Sequence, residues 1–392
     1  MDKKKKNAPF GEANKCALDF VLRLGQSMGF ETYNGNGYYG YIDWRGTHSV
    51  DIIGILGHLD VVPAEEYTLI QKDGMLYGRG VVDNKGPVLC TLEAMSRLTQ
   101  NGYIPKHTVR LIVGCNEENG SKCIAKYRAD NQCIPKASFT PDSDFPIVIS
   151  EMGILHLKIA VQIKGLSESG IKINGGERAN VVPDKCEVVI NGVSHMFKGK
   201  SAHAMCPHKG ENAILKALLN AGCLMLRELS FALGSLLSVI SHKDDSGEQT
   251  ISLGIINTTD DIIEMTFDLR CPATQDIEGL KNKIMAAFNA IDHKVKLTTL
   301  HFAPPLYIDP DSITVRSLLD AYTSVTGFPP AHIKTGGGTY ARALPNTIAF
   351  GPTFSGQVTN IHESNEQVSV DNLFKLIDIY SMAIKNLDNN LT

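Results

Sequence analysis

The chain has 392 residues, 43% apolar and 20% charged, with 38 Lys and Arg against 42 Asp and Glu for a net charge of −4. Such a length is about two to three times that of one domain, and the composition excludes a disordered chain. The balanced charge excludes a nucleic-acid or membrane-surface binder read on charge alone.

In chain order, Met1-Asp2-Lys3-Lys4-Lys5-Lys6 has no apolar run behind it. No secretory signal is expected, and the lysines read as a solvated terminus. Residues 11–29 carry Ala13, Cys16, Ala17, Phe20, Val21 and Leu24 at helical spacing, which predicts an amphipathic first helix. Gly35 to Gly40 matches the dinucleotide fingerprint G-x-G-x-x-G, but the alternation of Tyr38 to Trp44 predicts a strand after it rather than a helix. A hairpin turn is therefore expected there, not a nucleotide site. Ser49 to Gly57, Thr108 to Gly114, Ala137 to Thr140 and Thr347 to Gly351 are short apolar runs, and Val88 to Leu98 reads as a helix between the first two. Runs of this kind separated by helices predict an α/β fold with a mostly parallel sheet and helices on both faces.

The texture changes from about Ile154 to Pro304. Strands alternate more strictly there (CEVVINGV, EMTFDLR), with long helical patterns near 210–232 and 276–290. An inserted α+β lid domain over 154–304 is expected, dividing a catalytic domain into 1–153 and 305–392. The longest apolar stretch, Phe231 to Ile240, is too short to cross a bilayer. The nine cysteines show no C-x-x-C spacing, which suits free thiols in the cytoplasm.

Ligands of open α/β sheets gather beyond the carboxyl ends of the strands. Gly57-His58-Leu59-Asp60, Asn116-Glu117-Glu118 and Thr140-Pro141-Asp142 end three of the apolar runs, and Ile361-His362-Glu363 follows the fourth. Between the first two lies the glycine-rich turn Gly78 to Pro87, presenting Asp83. One such acid or histidine alone reads as a cap or turn residue. Together they repel unless cations neutralise them, and carboxylate with imidazole suits zinc, manganese or cobalt. No cysteine falls in these segments, which argues for a catalytic site rather than a closed structural one.

GILGHLDVVPA (54–64), KDGMLYGRGVVDNKGP (72–87), VRLIVGCNEENG (109–120), FTPDSDFPI (139–147), NGGERANVVPD (174–184), GGGTYAR (336–342) and IHESNE (361–366) occur in this order. The set resembles the dinuclear metallopeptidases that include PepV-type dipeptidases, carnosinases, acetylornithine deacetylase, succinyl-diaminopimelate desuccinylase and glutamate carboxypeptidase. It is most similar to the PepV-type branch.

The resemblance implies a zinc-peptidase-like catalytic domain holding two divalent metal ions, zinc first, with manganese or cobalt as alternatives. His58 and Asp142 would hold one ion, Glu118 and His362 the other, and Asp83 both. Glu117 would be the general base toward a metal-bridging hydroxide, and Asp60 would orient the His58 ring. A cis peptide between Asp83 and Asn84 is implied as well. His203, in Ser201-Ala202-His203-Ala204, would stabilise the oxyanion from the lid. Asn180, Arg270 and the backbone of Gly337 and Gly338 would bind substrate, Arg270 gripping a carboxylate in bidentate fashion. The implied activity is cleavage of the amide bond of dipeptides. An N-acyl amino-acid deacylase is the alternative on the same scaffold, and a non-catalytic metal- or peptide-binding relative the second. The partner is a small peptide substrate, with no nucleic acid and no membrane. Monomer and homodimer stay open, because relatives with small lids borrow the lid histidine from a partner subunit. The chain departs from the family pattern after Ala64, where Glu65-Glu66-Tyr67 leads to Lys72 in a shortened loop.

Overall fold

The computed structural model describes residues 7–47, 51–239, 241–289 and 294–391, with no side chains described at 237–239. The lysine run, Ser49, Val50, Ile240 and Ala290 lie outside the described residues. The chain divides into two units: Met1–Ile149, Ile308–Ile333 and Thr339–Thr392 form the first, and Ser150–Tyr307 with Lys334–Gly338 the second.

The first unit is built on a sheet whose middle is parallel. Strands Thr108–Gly114, Ile52–His58, Ala137–Thr140 and Thr347–Ala349 lie side by side in that order, all pointing the same way. The antiparallel hairpin Glu31–Asn34 and Tyr39–Trp44 extends it beyond Thr108–Gly114. Every residue of Ile52–His58 and of Thr108–Gly114 is buried, which is why these strands read as unbroken apolar runs: helices or turns cover both faces. On one face lie Glu12–Ser27, Lys85–Gln100, Ile313–Thr326 and Val370–Asn390, which pack with Ile53, Ile55, Leu111 and Phe139 into one core cluster. On the other face, Lys122–Ala129 and the Tyr340–Ala343 turn enclose Leu56 and Ile112.

Helix Lys85–Gln100 sits hard against the strand end. A Cβ on Gly57 would lie 2.4 Å from Val88 Cγ2, so only glycine admits the helix at that height. The Gly35–Gly40 segment is a hairpin turn, with Gly35 N–H donating to the Tyr39 carbonyl at 2.8 Å. The first helix is amphipathic as its spacing suggests, with Val21 buried and Ala17 and Leu24 packed against the core, but its inward stripe is centred differently. Leu18, Val21, Leu22 and Gly25 are buried, while Phe20 is 54% exposed and Cys16 lies at the surface. Leu18 and Leu22 complete a stripe with Val21 and Gly25 that meets the strand bearing Gly40 and Ile42, and Phe20 falls outside it.

The second unit is an antiparallel sheet of seven strands. Their order is Val193–Lys198, Lys185–Ile190, Lys172–Gly175, Thr250–Thr259, Ile262–Cys271, Gly153–Gln162 and Lys294–Ala303. Leu155, Leu157, Ile159 and Val161 point to one face and pack with helices Ala213–Asn220, Leu224–Val239 and Ile277–Asn289. The single helical pattern expected over 210–232 is therefore two helices. The break falls at Ala221–Cys223, where Gly222 has φ +69°, a left-handed conformation open to glycine that ends the first helix. No helix among the described residues is long and apolar enough to cross a membrane.

Candidate metal centre

Three parallel strands of the first unit bring His58, Glu117 with Glu118, and Asp142 to one edge of the sheet, and two loops bring Asp83 and His362 to meet them. His58 is the last residue of its strand and is fully buried. Its Nε2 lies 3.0 Å from Asp83 Oδ1 and 3.5 Å from Asp142 Oδ1. The other oxygen of Asp83 faces His362 Nε2 at 2.7 Å, and that nitrogen is 3.3 Å from Glu118 Oε1. One carboxylate thus stands between two imidazoles. The potential ligand atoms form overlapping groups: His58, Asp83 and Asp142; His58, Glu117 and Glu118; and Asp83, Glu118 and His362. Within each group they lie within 4.8 Å of one another.

The electrostatics call for cations. Burial, with Asp142 and the other neighbouring acids, pushes the Glu117 carboxyl up to about 8. Burial likewise raises Asp142, against the pull of His58. Burial opposes charge on His58, yet Asp142, Asp60 and Asp83 raise it well above the ordinary imidazole value. Hydrogen bonds from His362 to Asp83 and Glu118 raise His362 to about 10. Imidazoles pushed up by nearby acids, and buried acids pushed up by one another, mark a place where divalent ions would supply the missing positive charge. Glu118 Oε1 is buried, and the one nitrogen within ion-pair reach of it among the described residues is His362 Nε2 at 3.3 Å, a separation that a metal ion between the two would suit. The donors are oxygen and imidazole nitrogen only, which fits zinc, manganese or cobalt.

The scaffold around these groups uses residues that carry no role in the sequence reading. Glu366 is 1% exposed. It accepts from the backbone N–H of Gly80, Val82 and Asp83 at 2.8 to 3.0 Å and from Arg79 Nη1 at 3.0 Å. This one carboxylate folds the glycine-rich turn so that Asp83 points into the cluster. Asn84 ties three segments together: its Oδ1 accepts from His58 N–H at 3.2 Å, and its Nδ2 donates to the Pro141 carbonyl and, at 3.4 Å, to Asp142 Oδ1. The peptide between Asp83 and Asn84 is cis.

Asp60 has a task beyond His58. Its backbone carbonyl lies 2.9 Å from His58 Nδ1, whereas its side chain stands 3.6 Å away. The side-chain oxygens instead accept from the N–H groups of Glu117 and Glu118 at 3.0 and 3.1 Å. Tyr340 meets the His58 ring edge to face at 5.7 Å. Sequence position beside Asp83 could have signalled Asn84, but nothing local marks Glu366; its bonds span up to 287 residues.

The remaining candidates belong to the second unit and gather there. Val181 pairs with His203, and Ala204 N–H donates to the Asn180 carbonyl at 2.9 Å. Asn180 is exposed. His203 Nδ1 accepts from Met205 N–H at 3.1 Å, and burial, then Arg270, lower its pKa. Arg270 is buried, and its Nε and Nη2 grip the two oxygens of Asp268 at 2.8 and 2.9 Å. Asp268 also meets His156 Nε2 at 2.9 Å. Arg270 Nη1 donates to the Gly336 carbonyl at 2.9 Å, and Gly337 N–H donates to Thr335 Oγ1 at 3.1 Å. The fork expected to face a ligand carboxylate is thus closed on Asp268 in this conformation, while the glycine turn that includes Gly338 is anchored beside Arg270.

Residues 54–386 match the family described as Peptidase family M20/M25/M40. "Putative dipeptidase YtjP" of Bacillus subtilis (strain 168) is 28% identical, covering 97% of this chain and 92% of the relative. "Putative dipeptidase" of Staphylococcus epidermidis (strain ATCC 12228 / FDA PCI 1200) is 27% identical over 96% and 91%. Among solved structures, aminoacylhistidine dipeptidase from Vibrio alginolyticus has a TM-score of 0.64 at 11% identity, covering 95% of this chain and 93% of its own. The dipeptidase Dug1p from Saccharomyces cerevisiae has a TM-score of 0.62 at 13% identity, covering 97% and 91%. At such identities these structures share the fold. The match over most of the length shows that the chain is a member of peptidase family M20/M25/M40.

Proposed function

We propose that this peptidase cleaves the amide bond of dipeptides with two divalent ions, zinc first and manganese or cobalt as alternatives. The observation that carries the reading is Asp83, whose two oxygens stand 3.0 and 2.7 Å from the nitrogens of His58 and His362. We assign His58, Asp83 and Asp142 to one ion and Asp83, Glu118 and His362 to the other. Ions held there would polarise the scissile carbonyl and make water acidic enough to attack at neutral pH.

The chain's own groups do the rest. Glu117, fixed through its backbone by Asp60, takes the proton from the attacking water and returns it to the leaving nitrogen. His203 donates to the developing oxyanion. Asn180, Arg270, Gly337 and Gly338 hold the substrate. With Nε and Nη2 bound to Asp268 and Nη1 to the Gly336 carbonyl, Arg270 grips a substrate carboxylate in bidentate fashion once one of these bonds opens. The names of the two bacterial relatives support dipeptides as the substrate class. We further propose a reducing, cytoplasmic setting, supported by nine free cysteines, and either a monomer or a homodimer.

The test is metal analysis of purified protein, followed by a panel of dipeptides and N-acetyl amino acids with each metal restored. Release of two amino acids from dipeptides is the expected result. Turnover confined to N-acetyl amino acids would replace the reading with a deacylase, and no turnover with any metal would overturn it.

A further inference from the structure

The residues on either side of Asp83 also line a cavity of ≈ 530 Å³ that includes none of the metal-centre side chains. Gly78, Gly80, Val81 and Gly86 form one wall. Leu76, Leu89, Leu373, Phe374 and Ile377 supply an almost wholly apolar remainder. Leu89 is 40% and Phe374 51% exposed, so the apolar lining opens to solvent. A volume of this size is typical of small-molecule sites, which are apolar with a few fixed polar groups.

Two nitrogen donors in this lining lack partners. Arg79 is 8% exposed, and its Nε is buried without a hydrogen bond, although Nη1 and Nη2 are taken by Glu366 and the Glu363 carbonyl. Lys85 is half-buried, and its ammonium makes no hydrogen bond or ion pair among the described residues. The acids that face these donors are engaged elsewhere. Glu366 is occupied by Arg79 and three backbone N–H groups, and Glu93 pairs with Arg97 at 2.9 Å. A buried donor without an acceptor and a half-buried cation without a counter-ion both favour an incoming anion. The apolar walls favour an anion with a hydrocarbon chain.

We propose that this cavity binds a medium-chain carboxylate. The head group sits on Lys85 Nζ and Arg79 Nε, and the chain lies along Leu76, Leu89, Leu373 and Ile377. The site stands apart from the peptidase chemistry and is tested without reading activity. Calorimetric titration of the metal-loaded protein with hexanoate, octanoate and decanoate should show saturable binding at one site. Affinity should rise about fourfold per added methylene, the gain for burying each one. Decanol should bind at least tenfold more weakly than decanoate.

Two variants locate the site: Lys85→Met removes the cation, and Leu89→Asp places a charge on a partly exposed wall position. Each should weaken decanoate at least tenfold with the circular dichroism spectrum unchanged, and Lys85→Met should erase the preference for decanoate over decanol. Absent binding, equal binding of the alcohol, or undiminished decanoate binding in both variants would overturn the proposal. The last result would place the carboxylate elsewhere, as on the metal ions.

Discussion

Glu117 and Glu366 are both carboxylates beside the same cluster, and their surroundings give them opposite duties. Among the described residues the Glu117 side chain makes no hydrogen bond, while its backbone N–H is held by Asp60. The proposed role predicts that Glu117→Ala retains both metals by elemental analysis while kcat falls by about 10²- to 10⁴-fold, the range for a lost general base. Near-native turnover in that variant would remove Glu117 from the mechanism. Glu366 spends every oxygen on the turn that carries Asp83. In Glu366→Gln the amide nitrogen meets N–H donors where an oxygen accepted, and Arg79 loses its counter-charge. Metal affinity should fall about 10- to 100-fold, as for other groups that orient ligands. Competition with a chelating dye checks this, and unchanged affinity would mean the turn holds without its acid.

Neighbouring elements are joined by buried charges that their sequences place far apart. Asp43 and Arg110 face each other across adjacent antiparallel strands, bound at 2.7 and 2.8 Å, with the guanidinium 3.7 Å over the Tyr41 ring. Asp43→Ala leaves the arginine buried and unpaired, so stability should drop by about 3–5 kcal/mol, read as a lower urea midpoint. The C-terminal helix Val370–Asn390 is fastened in a similar way. Asp388 accepts from the N–H groups of Lys106 and His107 and from the Tyr103 hydroxyl. Burial opposes its charge, but these backbone donors, with the Tyr103 and His107 side chains, hold its carboxyl below the ordinary 3.8. A depressed folded pKa adds stability that is complete above the ordinary carboxylate range and is lost as pH falls through the folded value. The urea midpoint should therefore decline below about pH 4. In Asp388→Asn that decline should be shallower, starting from a lower plateau at neutral pH. Identical slopes would exclude Asp388 as a source of the acid sensitivity.

At the scale of the molecule, the proposed ions would add to the hydrogen bonds that already join the ligand-bearing segments, such as those of Asp60 to Glu117 and Glu118 and of Glu366 to the turn before Asp83. Ligands that bind only the folded state stabilise it by about 2.7 kcal/mol at a hundredfold excess over Kd. Chelation should lower the thermal midpoint and speed hydrogen exchange in 58–60, 78–84, 116–118 and 361–366, leaving the seven-stranded sheet of the second unit protected. Loss of protection in both units alike would contradict a centre confined to the first. Much of this architecture is legible in the residues themselves. Unbroken apolar runs announce strands buried on both faces, because such strands need no polar side. The residues that end them announce where acids and histidines gather, because parallel strands finish together. The rest depends on tertiary packing. Phe20 has helical spacing with its neighbours, yet lies outside the stripe that meets the sheet. Helicity was readable across 210–232, but not the break at Gly222. Asn84, Glu366 and Asp388 look like ordinary polar residues because their partners are distant in sequence. By itself the chain determined its strands, their order of chemistry and the family they belong to, all carried by local pattern. Only the folded structure decided which carboxylate faces two imidazoles, which one braces the turn behind it, and that Arg270 closes on Asp268, since these depend on distances that no spacing encodes.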